Sequence, residues 1–224
     1  MADSWVHDAV LRKLRAIGVN LENGHFVYSE GWHGSAYVDH RAIFRNPKEI
    51  YWISAMLSEK ICVSSSQIEV VIGPMNGGAF LAQWVAYHLS CMYGKNVIPL
   101  YASKTFSRDG FFFEPEFAKL IFGKRALVVD DVVNSGRSVL DVIYLVSAAG
   151  GALVGVGGIW NRGGNYPISQ FNRRGVRNIK FLVDLELEAW DPNGAEGCHL
   201  CITGVPISQE HGHPELAAQI QIKG

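Results

Sequence analysis

The sequence has little of what disulfide-rich or nucleic-acid-binding proteins depend on. It contains four cysteines in 224 residues, too few for a disulfide framework in a chain of this size. Its formal net charge is -1, and its charges are scattered, so it lacks the basic footprint that binds nucleic acid. We therefore expect a cytoplasmic protein with reduced cysteines and no nucleic-acid partner.

Long uninterrupted apolar runs are also missing. The first 18 residues carry acids, bases and a histidine where a signal peptide needs an apolar stretch. Residues 142–161 are uncharged over about the length of a membrane span, but glycines interrupt them repeatedly. We interpret this window as helix, Gly-Gly turn and buried strand, and expect no membrane partner.

The sequence does contain an alternation of strand and helix patterns. Strands are predicted at 68–73, 96–102, 126–129, 152–160 and 179–187, with two shorter ones at 25–28 and 36–40. Helices are predicted at 4–17, from residue 47, at 80–92 and at 138–150. This alternation predicts β-α-β crossovers and a single α/β domain with a mainly parallel twisted sheet flanked by helices.

The most informative stretch is ALVVDDVVNSGRSVLD, residues 126–141. Asp130 and Asp131 end an apolar strand, and the small polar residues 134–138 follow. Such a loop offers backbone N–H groups to a phosphate, while the carboxylates could accept hydrogen bonds from sugar hydroxyls or hold a divalent cation. The stretch therefore predicts a phosphosugar site at the carboxyl end of a parallel strand.

Three other interpretations of the aspartate pair compete with this one. A Walker B element would need an upstream GxxxxGK[ST] motif, which the sequence lacks. The acidic pocket of a receiver domain normally begins near the start of the chain, whereas this pair lies beyond its middle. A solvated acidic turn is the third interpretation.

VVDDVVNSGRS resembles the phosphoribosyl-pyrophosphate (PRPP) signature of type I phosphoribosyltransferases. Residues 24–41, GHFVYSEGWHGSAYVDHR, are similar to the N-terminal segment of the family's orotate branch, and GPMNGGA at 73–79 resembles its pyrophosphate-contacting loop. The resemblance covers most of the chain. It implies the type I fold, with a core of about 45–185 and a small hood from about 1–44 and 186–224.

The resemblance also implies an activity and its residues. The reaction would be Mg-dependent phosphoribosyl transfer from PRPP to a nucleobase, most simply orotate in pyrimidine biosynthesis, by a homodimer. Lys104, Asp130 and Asp131 would be catalytic, Phe26 and Arg162 would contact the base, and PRPP itself would hold most of the magnesium coordination. The implied PRPP contacts are Met75, Asn76, Gly77, Gly78, Asp130, Asp131, Asn134, Ser135, Gly136, Arg137 and Ser138.

Two features depart from the family pattern. The segment 101–117, YASKTFSRDGFFFEPEF, stands where the catalytic loop is expected, but its only basic residues are Lys104 and Arg108 and it has no histidine. Gly77 stands where some members carry a lysine. A non-catalytic PRPP or nucleotide sensor and a transferase for another base therefore stay open as alternatives.

The C-terminal segment contains a Cys-x2-Cys pair, Cys198 and Cys201. Such a pair is a favoured half of a zinc site, and His211 and His213 downstream could complete four ligands. A reduced structural turn is the alternative interpretation. The orotate branch contains a similar CxLCxxGxP segment, which does not by itself imply a metal.

Overall fold

The computed structural model describes residues 2–21, 23–28, 31–39, 41–62, 68–105 and 110–220. The chain divides into two compact units, one formed by Met1–Leu11 with Ile43–Leu185 and the other by Arg12–Ala42 with Glu186–Gly224. The helices are α1 (Ala2–Ala16), α2 (Arg41–Phe44), α3 (Pro47–Cys62), α4 (Gly77–Tyr93), α5 (Pro115–Ile121), α6 (Arg137–Ala148), α7 (Asn165–Arg173), α8 (His199–Ile202) and α9 (Pro214–Ile220). The strands are β1 (Asn20–Leu21), β2 (Phe26–Val27), β3 (His33–Gly34), β4 (Tyr37–Val38), β5 (Val70–Pro74), β6 (Ile98–Lys104), β7 (Phe111–Phe112), β8 (Arg125–Val133), β9 (Ala152–Asn161) and β10 (Ile179–Asp184).

The larger unit contains a six-stranded sheet in the order β10-β9-β8-β5-β6-β7. Five strands run parallel, and β7 pairs antiparallel with β6 at one edge. The central strand β5 is buried along its whole length. A continuous apolar sequence such as VVIGP is typical of a parallel strand covered on both faces.

Helices cover both faces of this sheet. Helices α3 and α4 pack together and contact the strands, and α6 contacts β5, β8 and β9. The core on the α6 side includes Val70, Val128 and Val142 together with Phe171 of α7. The predicted α/β fold with a mainly parallel sheet is confirmed. Helices α5 and α7 were not anticipated, because both are short, α5 begins at a proline and α7 directly follows two glycines.

Strand β8 is longer than its apolar residues predict. It pairs with β5 only as far as Val128, but its pairing with β9 continues to Val133 opposite Asn161. Asp130 and Asp131 therefore lie inside the strand, and the prediction that the strand ends at residue 129 is wrong. The extension exists because β9 runs ten residues and gives β8 a partner beyond the last residue that β5 can pair.

The smaller unit is built from short strands and the C-terminal segment. Strand β1 pairs antiparallel with β4, and β2 pairs with β3 in a hairpin. The C-terminal segment contacts this hairpin through backbone hydrogen bonds from Ser208 to His25 (2.8 Å) and from His213 to Val27 (2.8 Å). Among the described residues of the whole chain, no helix has the length and apolar character to cross a membrane.

Candidate functional site

The sheet changes its direction of winding between β5 and β8. After β5 the chain moves to β6 on one side, and after β8 it moves to β9 on the other. In open α/β sheets the crevice at the carboxyl ends of the strands at such a switch point is the usual ligand site. The loop 75–78 after β5 and the loop 134–138 after β8 both begin there, so the topology brings the two predicted PRPP loops to one place.

The aspartate pair lies between these loops and is nearly inaccessible to solvent. Asp130 is 9% exposed and Asp131 is 6% exposed, and the Asp131 backbone N–H donates a hydrogen bond to Asp130 Oδ1 (3.1 Å). Burial, and then the charge of Asp131, raise the pKa of Asp130 well above its usual value, although Lys104 opposes the shift. A ligand that supplies hydroxyl donors or a cation would stabilise the charged form of this carboxyl group.

Two glycines bring the start of α4 against these carboxylates. A Cβ added at Gly77 would collide with the Asp131 carboxylate, and one at Gly78 would lie 3.0 Å from Asp130 Oδ1. The peptide bond between Met75 and Asn76 in the same loop is cis. A lysine at the position of Gly77 would not fit here without moving Asp131.

The loop after β8 packs against the loop after β9. Gly136 adopts a φ of 79°, in the left-handed region that glycine favours, directly before α6. The Arg162 backbone N–H donates to the Val133 carbonyl (2.8 Å), and a Cβ at Gly163 would lie 2.9 Å from the Asn134 carbonyl carbon. Arg162, which is 9% exposed, is thereby held beside residues 134–138.

Asn161 is a positioning residue that sequence analysis missed. It is fully buried, and its Nδ2 group donates to Asp184 Oδ1 (2.7 Å) and to the Gly164 carbonyl (2.8 Å). These bonds join the ends of β9 and β10 to the loop that carries Arg162. The sequence feature that could have identified Asn161 is a polar residue directly after the buried run GGIW.

The predicted catalytic loop is mostly a hairpin. Lys104 ends β6 opposite Phe111 of β7, and the Thr105 N–H donates to the Gly110 carbonyl (3.0 Å). The interpretation of 101–117 as one loop is corrected to a connection of 105–110 followed by β7 and α5. The aromatic side chains Phe111 and Phe113 cause the difference, because they pack against the core. Arg108 lies outside the described residues.

The cysteine pair of the smaller unit meets histidines other than those anticipated. Cys198 and Cys201 lie with His25 and His33, and one ligand atom of each residue falls within 4.8 Å of all the others. The histidines proposed from the sequence have other partners: His213 Nδ1 lies 3.0 Å from Glu215, and His211 Nδ1 lies 3.9 Å from Asp39. The actual partners are far away in the sequence, and their only local signal is their position on either side of the β2–β3 hairpin.

Burial sets the ionisation of this cluster. Burial, and then the neighbouring His25, lower the pKa of His33, so that its ring is neutral near physiological pH. Burial, and then Cys198, raise the pKa of the Cys201 thiol to about 11. Phe26, the other predicted base contact, belongs to the same unit, is 5% exposed and stacks on Tyr37 with ring centroids 5.7 Å apart.

Comparison with known families identifies the class. Residues 39–191 match the model of the phosphoribosyl transferase domain, and this match includes β5, β8 and both candidate loops. The chain belongs to the phosphoribosyltransferase family.

The relatives with known names specify the branch. The chain is 31% identical over 205 residues to the orotate phosphoribosyltransferase of Caldicellulosiruptor bescii, covering 89% of this chain and 94% of the relative. It is 35% identical over 192 residues to the orotate phosphoribosyltransferase of Caldanaerobacter subterraneus subsp. tengcongensis, covering 84% and 88%. The predicted resemblance to the orotate branch is confirmed.

Solved structures agree on the fold. The Aeropyrum pernix orotate phosphoribosyltransferase superposes with a TM-score of 0.59 at 25% identity, covering 77% of this chain and 94% of that one. The Mycobacterium tuberculosis H37Rv enzyme in complex with inorganic phosphate gives a TM-score of 0.59 at 20% identity, covering 80% and 95%. The expected type I phosphoribosyltransferase fold is therefore confirmed.

Proposed function

We propose that this protein is an orotate phosphoribosyltransferase, which transfers the phosphoribosyl group of PRPP to orotate and releases orotidine 5′-monophosphate and pyrophosphate. The observation that carries the proposal is the buried pair Asp130 and Asp131 at the switch point of the sheet, between the loops 75–78 and 134–138. The names of the relatives, at 31% and 35% identity over most of the chain, support orotate as the acceptor.

The two loops and the aspartates would divide the recognition of PRPP among them. Residues 134–138 include the first two residues of α6, and their backbone N–H groups and the helix dipole suit the 5′-phosphate. Asp130 and Asp131 would accept hydrogen bonds from the ribose hydroxyls. Residues 75–78 would contact the pyrophosphate through the backbone, because Gly77 and Gly78 have no side chain to separate it from the loop.

The reaction breaks the bond between the anomeric carbon and a pyrophosphate oxygen, forms a bond to a ring nitrogen of the base, and releases the proton of that nitrogen. Bond breaking ahead of bond making gives an oxocarbenium-like state, so positioning and charge stabilisation account for most of the catalysis. Lys104, at the end of β6, would help to neutralise the departing pyrophosphate.

Magnesium fits the donor chemistry of this site. Carboxylate oxygens such as those of Asp130 and Asp131 suit a hard cation, and PRPP would supply most of the remaining oxygens. When bound, magnesium acts as an electrophile on the leaving pyrophosphate.

Arg162 is the residue that would select the base. A guanidinium group presents a planar fork of donors that matches a carboxylate and a planar heterocycle. Its backbone bond to Val133 (2.8 Å) and its low exposure of 9% support a side chain with a defined position.

The test is pyrophosphate release from PRPP and Mg²⁺ with orotate, uracil, adenine, hypoxanthine and guanine offered separately. We expect release with orotate alone, and a reaction without base serves as the control for PRPP hydrolysis. Pyrophosphate release with another base would support phosphoribosyl transfer but contradict the proposed specificity for orotate.

A non-catalytic PRPP sensor is the second candidate. It is favoured by the low positive charge of residues 101–117, in which Lys104 and Arg108 are the basic residues. PRPP binding measured by calorimetry, without pyrophosphate release for any base, would make this candidate the better one.

The expected homodimer stays a prediction. Tyr51, Trp84 and Tyr87 form an aromatic surface on α3 and α4, with Tyr51 47% and Tyr87 49% exposed. Exposed apolar patches of this kind favour association, and light scattering coupled to gel filtration measures the mass directly.

A further inference from the structure

Four metal-ligating side chains converge in the smaller unit, in a place that the proposed transfer does not use. His25 Nε2 and His33 Nδ1 lie 2.9 Å apart. Cys198 Sγ lies 3.6 Å from His25 Nε2, and Cys201 Sγ lies 3.7 Å from His25 Nε2 and 3.3 Å from His33 Nδ1. A tetrahedral zinc site, with bonds of about 2.0–2.1 Å to nitrogen and about 2.3 Å to sulphur, separates its ligand atoms by roughly 3.3–3.8 Å. The three distances to sulphur lie in this range, and the distance between the two nitrogens is shorter.

The ring of His25 is already oriented as a ligand. Its Nδ1 donates a hydrogen bond to the Val205 carbonyl (2.7 Å). The proton therefore lies on Nδ1, and the lone pair of Nε2 faces Cys198, Cys201 and His33. A ligating histidine is usually fixed in this way by a backbone carbonyl on its other nitrogen.

The backbone around the two histidines is held in place by short hydrogen bonds. The His25 carbonyl accepts from Ser208 (2.8 Å), and His33 exchanges two bonds with Trp190, of 2.9 and 2.7 Å. Cys198 lies directly before α8, so Cys201 follows within one helical turn. The site is thus preorganised from two chain segments, since Cys201 and His33 are 168 residues apart.

We propose that His25, His33, Cys198 and Cys201 bind a structural zinc ion. Two thiolates and two imidazoles in tetrahedral order are a preferred zinc ligand set, and four protein ligands leave no open position for catalysis. The ion would cross-link the β2–β3 hairpin to the C-terminal segment. This inference is independent of the proposed transfer, because none of the four residues has a part in it.

The first test is metal analysis of the full chain purified under reducing conditions. We expect about one zinc ion per chain by inductively coupled plasma mass spectrometry. X-ray absorption spectroscopy should show two sulphur neighbours at about 2.3 Å and two nitrogen neighbours at about 2.0 Å from the zinc. Cys198→Ser and Cys201→Ser should lose the metal. Cys91→Ser is the matched control, because Cys91 is an exposed free cysteine outside the cluster.

The tail histidines provide a second control. A His211→Ala/His213→Ala double variant should retain its zinc, whereas His33→Ala should not. Loss of zinc from the double variant would overturn the ligand set in favour of the downstream histidines.

If the ligand variants fail to fold, experiments on the wild-type protein test the zinc site. Cobalt added to the metal-free chain should give the visible absorption of a tetrahedral thiolate site, and removal of zinc by a chelator should lower Tm by at least about 5 °C. No uptake from stoichiometric zinc by the reduced protein, iron in place of zinc, or a Cys198–Cys201 disulfide in the freshly isolated protein would each overturn the proposal.

Discussion

Replacement of Gly163 by alanine tests whether residues 134–138 hold the phosphate of PRPP. An ideal Cβ at Gly163 would lie 2.9 Å from the carbonyl carbon of Asn134 and 3.0 Å from Cδ of Pro167, whereas ordinary contact begins at 3.4 Å. The carbonyl carbon would therefore have to recede by about half an ångström, and its oxygen, which lies closer still, by more. The substitution pushes on residues 134–138 without removing any group from them.

The size of the effect follows from this displacement. Overpacking of a tight contact costs about 1–3 kcal/mol, and each kcal/mol lowers Tm by roughly 2–4 °C in a chain of this length. A misplacement of about 1 Å can reduce turnover about a hundredfold. A shift of about half that size should cost roughly tenfold. Because residues 134–138 are proposed to bind PRPP, we expect this cost as a rise in KM for PRPP in Gly163→Ala, with a smaller change in KM for orotate.

Steady-state pyrophosphate release, with each substrate varied in turn, measures this difference. Gly175→Ala is the control, because Gly175 has a φ of 82° and no described atom lies within 4 Å of its added Cβ. That substitution costs about 1–2 kcal/mol of backbone strain and should lower Tm with KM unchanged. A Gly163→Ala variant that matches the control, with reduced Tm and unaltered KM for PRPP, would refute the assignment of the phosphate to residues 134–138.

Three further substitutions test individual residues of the site. Burial and then Asp131 raise the pKa of Asp130, so ionising this carboxyl group destabilises the ligand-free fold as pH rises above its usual pKa. Asp130→Asn should therefore gain Tm relative to wild type as pH rises from about 4, while its PRPP affinity by calorimetry falls. A Tm difference that does not change with pH would contradict this. Arg162→Lys should raise KM for orotate roughly 10- to 100-fold through loss of the donor fork, and unchanged kinetics would show that Arg162 does not contact the base. Lys104→Gln should lower kcat about a hundredfold with little change in KM for PRPP, and a wild-type kcat would exclude Lys104 from leaving-group stabilisation.

The sequence by itself determined the fold class and the location of the main candidate site. Apolar runs such as VVIGP and the periodic helix 137–148 depend on local spacing, which is visible without coordinates. The stretch containing Asp130 and Asp131 combines an apolar run, two carboxylates and small polar residues within a few positions, so a candidate site could be inferred from neighbouring residues alone.

Only the tertiary structure decided the features that depend on contacts between distant residues. The extension of β8 to Val133 depends on the length of its partner β9, and the absence of a side chain at Gly77 is explained by the approach of Asp131. The histidines that lie beside Cys198 and Cys201 are His25 and His33, which no spacing rule connects to them. Periodicity reports which face of an element is buried, but the fold decides which buried groups meet, because such pairings depend on the path of the whole chain.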